Sequence, residues 1–159
     1  MTSSEQTTDH RPQTTDPGST TAVGCHTSSA VERPLCVAVV GPCASGKSTL
    51  VAALKAAGYD ARHPAQEHSF VKDMWLRRVN PDVLVYLDVS HEAYRQRRPK
   101  DDAGPEYLEM QRARLAHARA HADLVVDTSE LMAEEVRAAV AGFLERGPGY
   151  ADGGESSGQ

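Results

Sequence analysis

The sequence lacks three features that mark large classes of protein: a long apolar run, an excess of basic residues, and cysteines at metal-binding spacing. No stretch approaches the roughly 20 apolar residues of a membrane span, and the N-terminus carries no apolar signal core. The formal net charge is −5, and positions 35–146 carry 15 basic against 16 acidic residues. A bulk nucleic-acid binder would show a strong basic excess. We therefore expect a cytoplasmic protein without a membrane or nucleic-acid partner.

The three cysteines, Cys25, Cys36 and Cys43, are few and irregularly spaced. Their spacing matches no metal-ligand motif, and three thiols cannot all pair with one another. Cys36 falls within an apolar run and Cys43 within a glycine-containing loop. Reduced thiols are therefore the expectation.

Large apolar side chains are nearly absent from both ends of the chain. Positions 1–34 are rich in Thr, Ser, Asp, Pro and Gln, and positions 147–159 read GPGYADGGESSGQ. Neither segment can bury enough surface to offset its ordering entropy. The sequence therefore predicts disordered tails at 1–34 and 147–159 around one small domain at 35–146.

What the sequence does contain is a phosphate-binding loop of the Gly-x-x-x-x-Gly-Lys-Ser-Thr type, known as Walker A. Its residues are Gly41, Pro42, Cys43, Ala44, Ser45, Gly46, Lys47, Ser48 and Thr49. The two glycines let the backbone curl so that amide N–H groups surround an oxyanion. Lys47 supplies positive charge for the β- and γ-phosphates, and Ser48 supplies a hydroxyl for Mg²⁺. The loop predicts a site for a nucleoside triphosphate.

Predicted strands and helices alternate along the domain. Apolar runs predict strands at 35–40, 83–89 and 123–127, and a weaker alternation predicts one at 59–65. Periodicity and caps predict a helix from the loop to Gly58, then helices at 69–79, 91–98, 106–122 and 131–144. This order is typical of a three-layer α/β fold, with a small, mainly parallel sheet of about four strands and helices on both faces.

The 69–79 helix begins at Ser69, the predicted N-cap. Its inner face would carry Val71, Met74, Trp75 and Val79. We expect Met74 and Trp75 to pack against the sheet, with the lining of an acceptor pocket as the alternative.

The 106–122 helix carries several basic side chains and two histidines. We expect Arg112, Arg114 and Arg119 on its exposed face. His117 and His121 lie four residues apart on one face, but no nearby Glu or Cys completes a zinc site in sequence.

With these elements placed, the domain resembles the small P-loop kinases: shikimate- and gluconate-kinase-like enzymes, and nucleoside or nucleotide kinases including thymidylate kinase. Besides the loop at 41–49, positions 80–99 (NPDVLVYLDVSHEAYRQRRP) and 122–129 (ADLVVDTS) carry the likeness. The resemblance implies a P-loop NTPase fold that binds ATP and Mg²⁺ and transfers the γ-phosphoryl group to a small acceptor.

Glu67 is the candidate carboxylate near the γ-phosphate. If the 59–65 strand lies beside the loop strand, Glu67 could hold Mg²⁺ through water or orient the attacking group; a solvated loop glutamate is the alternative. His68, the next residue, is a second candidate for this position near the γ-phosphate. A capping or structural role is its alternative. Asp88 ends a strand, and a structural role is favoured over a metal-linked one.

The resemblance also makes Arg95 and Arg98 candidates for a lid that neutralises charge on the transferring phosphoryl group or stacks on adenine. The two arginines lie one helical turn apart and share a face; a solvated basic helix end is the alternative. Thr128 and Ser129 could contact adenine by the same analogy, or serve as a turn and N-cap.

Two functions remain open from the sequence. The resemblance implies a kinase-like phosphotransferase. Positions 66–82, however, have room for a single short helix where nucleotide kinases place an acceptor-binding insertion, and Gln66-Glu67-His68 stands where an acidic motif is usual. The alternative is a nucleotide-binding regulator or slow ATPase without a phosphoryl acceptor.

Overall fold

The computed structural model describes residues 33–147. Four strands alternate with helices in these residues: β1 Cys36–Val40, α1 Lys47–Ala56, β2 Asp60–Arg62, a 3₁₀ turn Gln66–His68, α2 Met74–Val79, β3 Val83–Asp88, α3 His91–Arg97, α4 Pro105–Ala120, β4 Leu124–Asp127 and α5 Ala133–Arg146. Nearly all of the two tails predicted to be disordered, 1–34 and 147–159, lie outside the described residues. No helix within 33–147 is both long and apolar enough to cross a membrane.

The strands form one parallel sheet in the order β2-β1-β3-β4. Val39 of β1 pairs with Val85 of β3, and Leu87 of β3 pairs with Val126 of β4. The strongly apolar β1 and β3 take the two central places, as expected of strands that are buried on both faces. This confirms the predicted α/β class and the four-stranded parallel sheet.

Helices cover both faces of the sheet. Alternate strand residues, such as Val39 and Val85, pack with apolar residues of α1 and α5. The intervening residues, such as Val40 and Tyr86, pack with Trp75 and with Leu115 of α4. The domain thus has two apolar layers, one on each side of the sheet, and the predicted burial of Trp75 is confirmed.

The prediction of a helix over 69–79 is wrong in its first half. The α2 helix begins only at Met74. The Ser69 hydroxyl accepts a hydrogen bond from the amide of Val71, so it closes a local turn where the prediction had a helix N-cap. Val71, predicted for the inner face, is exposed, and Met74 is half-buried.

The β2 strand is also shorter than predicted, three residues in place of seven. It lies at the edge of the sheet and pairs only with β1. Pro64 has no N–H to donate, and its carbonyl accepts from the amide of Gln66, which turns the chain into the 3₁₀ turn. The early end of β2 brings Glu67 beside the loop that follows β1.

Candidate functional site

The loop between β1 and α1 lies at the carboxyl edge of the sheet and follows the predicted backbone course. Gly46 has φ of +91° and precedes α1, while Ala44 has φ of +63°. A Cβ at Gly41 would lie 2.2 Å from the carbonyl oxygen of Leu87, at the end of β3. Only glycine fits at position 41 without moving a central strand, and Gly46 supplies a left-handed conformation.

Lys47 lies at the centre of the site, in the first turn of α1. Its Nζ donates to the carbonyl oxygens of Gly41 and Pro42, both at 2.8 Å, and pairs with Glu67 Oε1 at 2.9 Å. Lys47 and Glu67 are 9% and 5% exposed. Three acceptors therefore match the three hydrogens of the ammonium, in a place largely closed to water.

Glu67 is held in place by the residues around it in the 3₁₀ turn. The Gln66 side chain is fully buried; its Oε1 accepts from the amide of Trp75 at 3.0 Å and its Nε2 donates to the carbonyl of Val71 at 2.7 Å. Arg114 Nη1 donates to the carbonyl of Glu67 at 3.3 Å. These bonds fix the backbone of the turn, so the Glu67 carboxylate is directed by packed structure rather than by a free loop.

Two buried polar atoms of the site have no hydrogen-bond partner among the described residues: Ser45 Oγ in the loop and Glu67 Oε2. Buried polar atoms in proteins are nearly always hydrogen-bonded. One further such atom, the hydroxyl of Tyr86, belongs to the sheet core. The loop and the 3₁₀ turn, which the Lys47–Glu67 pair joins, thus each carry one unsatisfied buried oxygen.

Cys43 and His68 also meet at this edge of the site. The Cys43 Sγ lies 3.7 Å from His68 Nε2, which lies 4.0 Å from Glu67 Oε1. The side chain of Gln111, on α4, makes two hydrogen bonds to the cysteine. Its Oε1 accepts from the Cys43 amide at 2.8 Å, and its Nε2 donates to Sγ at 3.1 Å. Nearby, burial raises the pKa of Tyr107.

On its other side the loop is held by Arg97, which lies between the two predicted lid arginines and was not itself predicted for the site. Arg97 Nη1 donates to the carbonyl of Ala44 at 2.8 Å and to Thr128 Oγ1 at 3.1 Å, and Nη2 donates to the carbonyl of Thr128. A sequence signal for this existed: Ala93 and Tyr94 are the buried residues of α3, and position 97 shares their face.

Arg95 and Arg98 lie elsewhere. Within residues 33–147 they make no hydrogen bond or ion pair with the loop; both line a cavity of about 670 Å³ between α3 and the start of α4. The nearest charged partner of Arg98 there is Asp101, at 3.9 Å. The structure therefore does not bring the two predicted lid arginines to the loop.

Asp88 and the basic residues of α4 form a supporting layer. Arg112 donates to Asp88 Oδ1 at 3.1 and 3.2 Å and to the carbonyl of Val89 at 2.7 Å, so Asp88 is engaged structurally, as favoured from the sequence. Arg114 holds Glu67, and Arg119 lies over the Tyr86 ring. Arg119 is exposed, as expected. The expectation of an exposed position is wrong for Arg112 and Arg114, which are half-buried because they donate to Asp88 and Val89 and to the 3₁₀ turn.

A cavity of about 310 Å³ opens beside the loop. Its lining comprises Ala44, Ser45, Gly46, Thr49, Leu50, Arg97, Thr128, Leu131, Met132, Ala133 and Val136. Thr128 is buried, and its hydroxyl lies within hydrogen-bonding distance of the carbonyls of Ser45 and Asp88. Ser129 donates to Asp127, and this hydrogen bond lowers the pKa of the Asp127 carboxyl. Ser48 is exposed in the first turn of α1.

No protein-family model matches this sequence, and no curated protein matches it.

Proposed function

We propose that this protein binds Mg-ATP at the 41–49 loop and transfers the γ-phosphoryl group to a small-molecule acceptor. The observation that carries the proposal is the buried pair of Lys47 with Glu67 at 2.9 Å, together with two buried polar atoms, Ser45 Oγ of the loop and Glu67 Oε2, that have no partner among residues 33–147. A polar ligand with several oxygens is what such a grouping would satisfy.

Triphosphate binding requires Lys47 to exchange one of its three partners. Two are backbone carbonyls of the loop itself, Gly41 and Pro42, and the third is the side chain of Glu67. A side chain turns away more readily than a backbone carbonyl next to a strand end, so we assign Glu67 as the partner that the phosphate displaces. The N-terminus of α1 adds its amides and its dipole to the anion site.

The cavity of about 310 Å³ is the proposed place of the base. Its volume lies at the lower end of the range of small-molecule sites, and most of its lining is apolar. Arg97 and Thr128 supply polar groups at one side, and the preference for adenine rests on the resemblance to small P-loop kinases. Arg97, rather than Arg95 or Arg98, is the arginine that contacts the loop, and we assign it to holding the loop in shape.

Ser48 would hold Mg²⁺ directly, and Glu67 would hold it through a water molecule. The donor set fits this ion, because it combines a hydroxyl with a carboxylate whose Oε2 is buried without a partner among the described residues. When bound, Mg²⁺ would neutralise developing charge on the phosphates.

In the transfer itself, Glu67 accepts a hydrogen bond from the acceptor hydroxyl and orients it toward the γ-phosphorus. The hydroxyl oxygen forms a bond to that phosphorus as the bond to the β–γ bridging oxygen breaks, and the hydroxyl proton passes to the carboxylate. Lys47 and the loop amides stabilise the charge that moves onto the ADP leaving group.

A regulator or slow ATPase is the second candidate. The observation that favours it is the small size of the region between Glu67 and β3: in this described part of the chain the only α-helix is the six-residue α2. This leaves little structure to enclose an acceptor.

Acceptor-dependent release of ADP separates the two. The full chain with Mg-ATP is assayed against nucleosides, nucleotides, sugars and small hydroxy acids. We expect one class to raise ADP release by at least about 100-fold over water, and Glu67→Gln to lose at least about 100-fold of that rate. The matched control Glu109→Gln, an exposed carboxylate on α4, keeps it.

ATP binding without acceptor-dependent turnover would select the regulator. Turnover that Glu67→Gln leaves unchanged would remove Glu67 from the mechanism.

A further inference from the structure

We propose that Cys43, Glu67 and His68 form a binding site for a thiolate-seeking divalent cation, with Zn²⁺ as the fitting ion. The site is distinct in chemistry from the Mg²⁺ site, although Glu67 belongs to both. Among the described residues this trio is the group whose candidate ligand atoms all lie within 4.8 Å of one another.

The spacing of the ligand atoms suits a tetrahedral ion. Zinc–sulfur and zinc–nitrogen bonds of about 2.3 and 2.0 Å place the two ligand atoms about 3.5 Å apart in a tetrahedron. The Cys43 Sγ to His68 Nε2 distance is 3.7 Å, and His68 Nε2 lies 4.0 Å from Glu67 Oε1. These two distances lie within about 0.5 Å of that separation, so small side-chain movements would bring His68 and its two neighbours around one ion.

The chemistry of the trio selects the metal. Sulfur and imidazole ligands favour zinc and related ions over Mg²⁺, which prefers oxygen ligands and octahedral geometry. One thiolate and one carboxylate match the double charge of the ion once the carboxylate has left Lys47, whose ammonium lies 2.9 Å from Glu67 Oε1. His68 is half-exposed, with 53% of its side chain accessible, so a water molecule can take the fourth position.

Surrounding contacts already hold all three residues of the trio. Gln111 Nε2 donates to the Cys43 sulfur at 3.1 Å, as an outer-shell group does to a metal-bound thiolate. Glu67 and His68 belong to the 3₁₀ turn, whose backbone Arg114 and the buried Gln66 fix. The ion would therefore meet a site that needs little ordering.

Sequence spacing conceals this site. Cys43 follows β1, whereas Glu67 and His68 follow β2, more than twenty positions later. The three meet because β1 and β2 are neighbours in a parallel sheet, so that both strand ends lie at the same edge.

If the loop binds a nucleotide, as the proposed function requires, zinc bound here would interfere with that binding. Glu67 Oε1 is the partner of Lys47, and Cys43 is part of the loop. An ion that bridges the loop to the 3₁₀ turn would draw the Glu67 carboxylate away from Lys47. The ion would itself lie at the proposed phosphate site. We expect Zn²⁺ and Mg-ATP to compete.

Cobalt titration tests the site without any nucleotide. The full chain carrying Cys25→Ser, under reducing conditions, is titrated with Co²⁺, followed by its thiolate-to-cobalt absorption, and back-titrated with Zn²⁺. We expect one ion per chain, and affinity at least about 100-fold lower in Cys43→Ser and in His68→Ala. His121→Ala, a control for the histidine pair of α4, binds as the parent does.

The absence of a thiolate band, or a band that survives in Cys43→Ser, would overturn the assignment. Since His68 is exposed, His68→Ala is expected to fold, and unchanged affinity in that variant would overturn it equally. Cobalt binding is measured without ATP, so failure of the proposed function would appear separately, as a chain that binds the metal and not the nucleotide.

Discussion

The loop at 41–49 is held differently on its two flanks. On the acidic flank, formed by Glu67 and His68, a buried carboxylate pairs with the Lys47 ammonium at 2.9 Å. On the arginine flank, formed by Arg97 and Thr128, an exposed guanidinium donates to backbone carbonyls, including that of Ala44 at 2.8 Å. One flank uses opposite charges out of water, and the other uses hydrogen bonds to the main chain.

The difference separates the functions of the flanks. A phosphate can compete with a carboxylate for an ammonium group, so under the proposed function a ligand would rearrange the acidic flank. Carbonyl oxygens repel phosphate, and under the same proposal Arg97 would keep the Ala44 carbonyl engaged while the ligand binds. We infer that the arginine flank sets the shape of the loop and the acidic flank carries its chemistry.

Breaking the buried pair has the largest expected effect on stability. Lys47→Met leaves the Glu67 carboxylate, 5% exposed, without its cation, and we expect a loss of about 3–5 kcal/mol in the free energy of unfolding. The double variant Lys47→Met/Glu67→Gln removes the stranded charge and should be more stable than the single one. Urea unfolding measures both.

Lys55→Met, an exposed lysine in the last turn of the same helix, is the control and should change stability by less than about 0.5 kcal/mol. If the double variant is no more stable than Lys47→Met, the unpaired Glu67 carboxylate does not destabilise the fold, and this prediction is contradicted.

The arginine flank should give a smaller effect, and one that spares turnover. Arg97→Ala removes the donor to Ala44 and Thr128, and we expect about 1–2 kcal/mol of destabilisation by urea unfolding. Affinity for Mg-ATP should fall more than the rate at saturation, because the loop loses shape and keeps its charged groups. Arg95→Ala, two residues earlier on α3 and lining the cavity of about 670 Å³, is the matched control and should be neutral.

Equal effects of Arg95→Ala and Arg97→Ala would contradict the assignment of shape to Arg97. A turnover rate that falls in Arg97→Ala as far as in Glu67→Gln would erase the distinction between the flanks.

The smallest effect is a pH dependence at the far end of α3, outside both flanks. The Tyr94 hydroxyl donates to Asp101 at 2.5 Å and holds the pKa of that carboxyl below its ordinary 3.8. A depressed pKa stabilises the fold above the unfolded value, and this stabilisation is lost as pH falls through the folded value. Unfolding of Tyr94→Phe, followed from pH 5 downwards, should therefore depend less steeply on pH than the parent below pH 3.8.

Asp102→Asn, at the neighbouring exposed carboxyl, serves as the control and should keep the parental slope. Identical slopes in Tyr94→Phe and the parent would show that the hydrogen bond does not perturb Asp101.

Local sequence patterns predicted most of the strands and helices. The order of the strands in the sheet determines which residues meet at the site. The apolar runs around Val39 and Val85 gave the two central strands because such runs need cover on both faces. The place of Glu67 could be reasoned out, since it depends only on β2 lying beside β1. The helix at Ser69 could not, because its hydroxyl supports a turn as well as a cap.

The positions of the remaining site residues depend on which face of a helix is buried and on contacts between residues that are far apart in sequence. Arg95, Arg97 and Arg98 are alike in sequence, and only the buried face of α3 distinguishes Arg97. Cys43 and His68 carry no shared motif, because their proximity arises from the sheet and from the clasp of Gln111 on α4.

Titration calorimetry with Mg-ATP tests the central claim most directly. The claim is that Lys47, held by loop carbonyls and Glu67, is the cation that binds the triphosphate. We predict that the parent chain and Lys55→Met bind Mg-ATP alike, and that Lys47→Met loses at least about 100-fold in affinity while remaining folded by circular dichroism. Equal affinity in Lys47→Met and the parent, or no binding by the parent chain, would contradict the account.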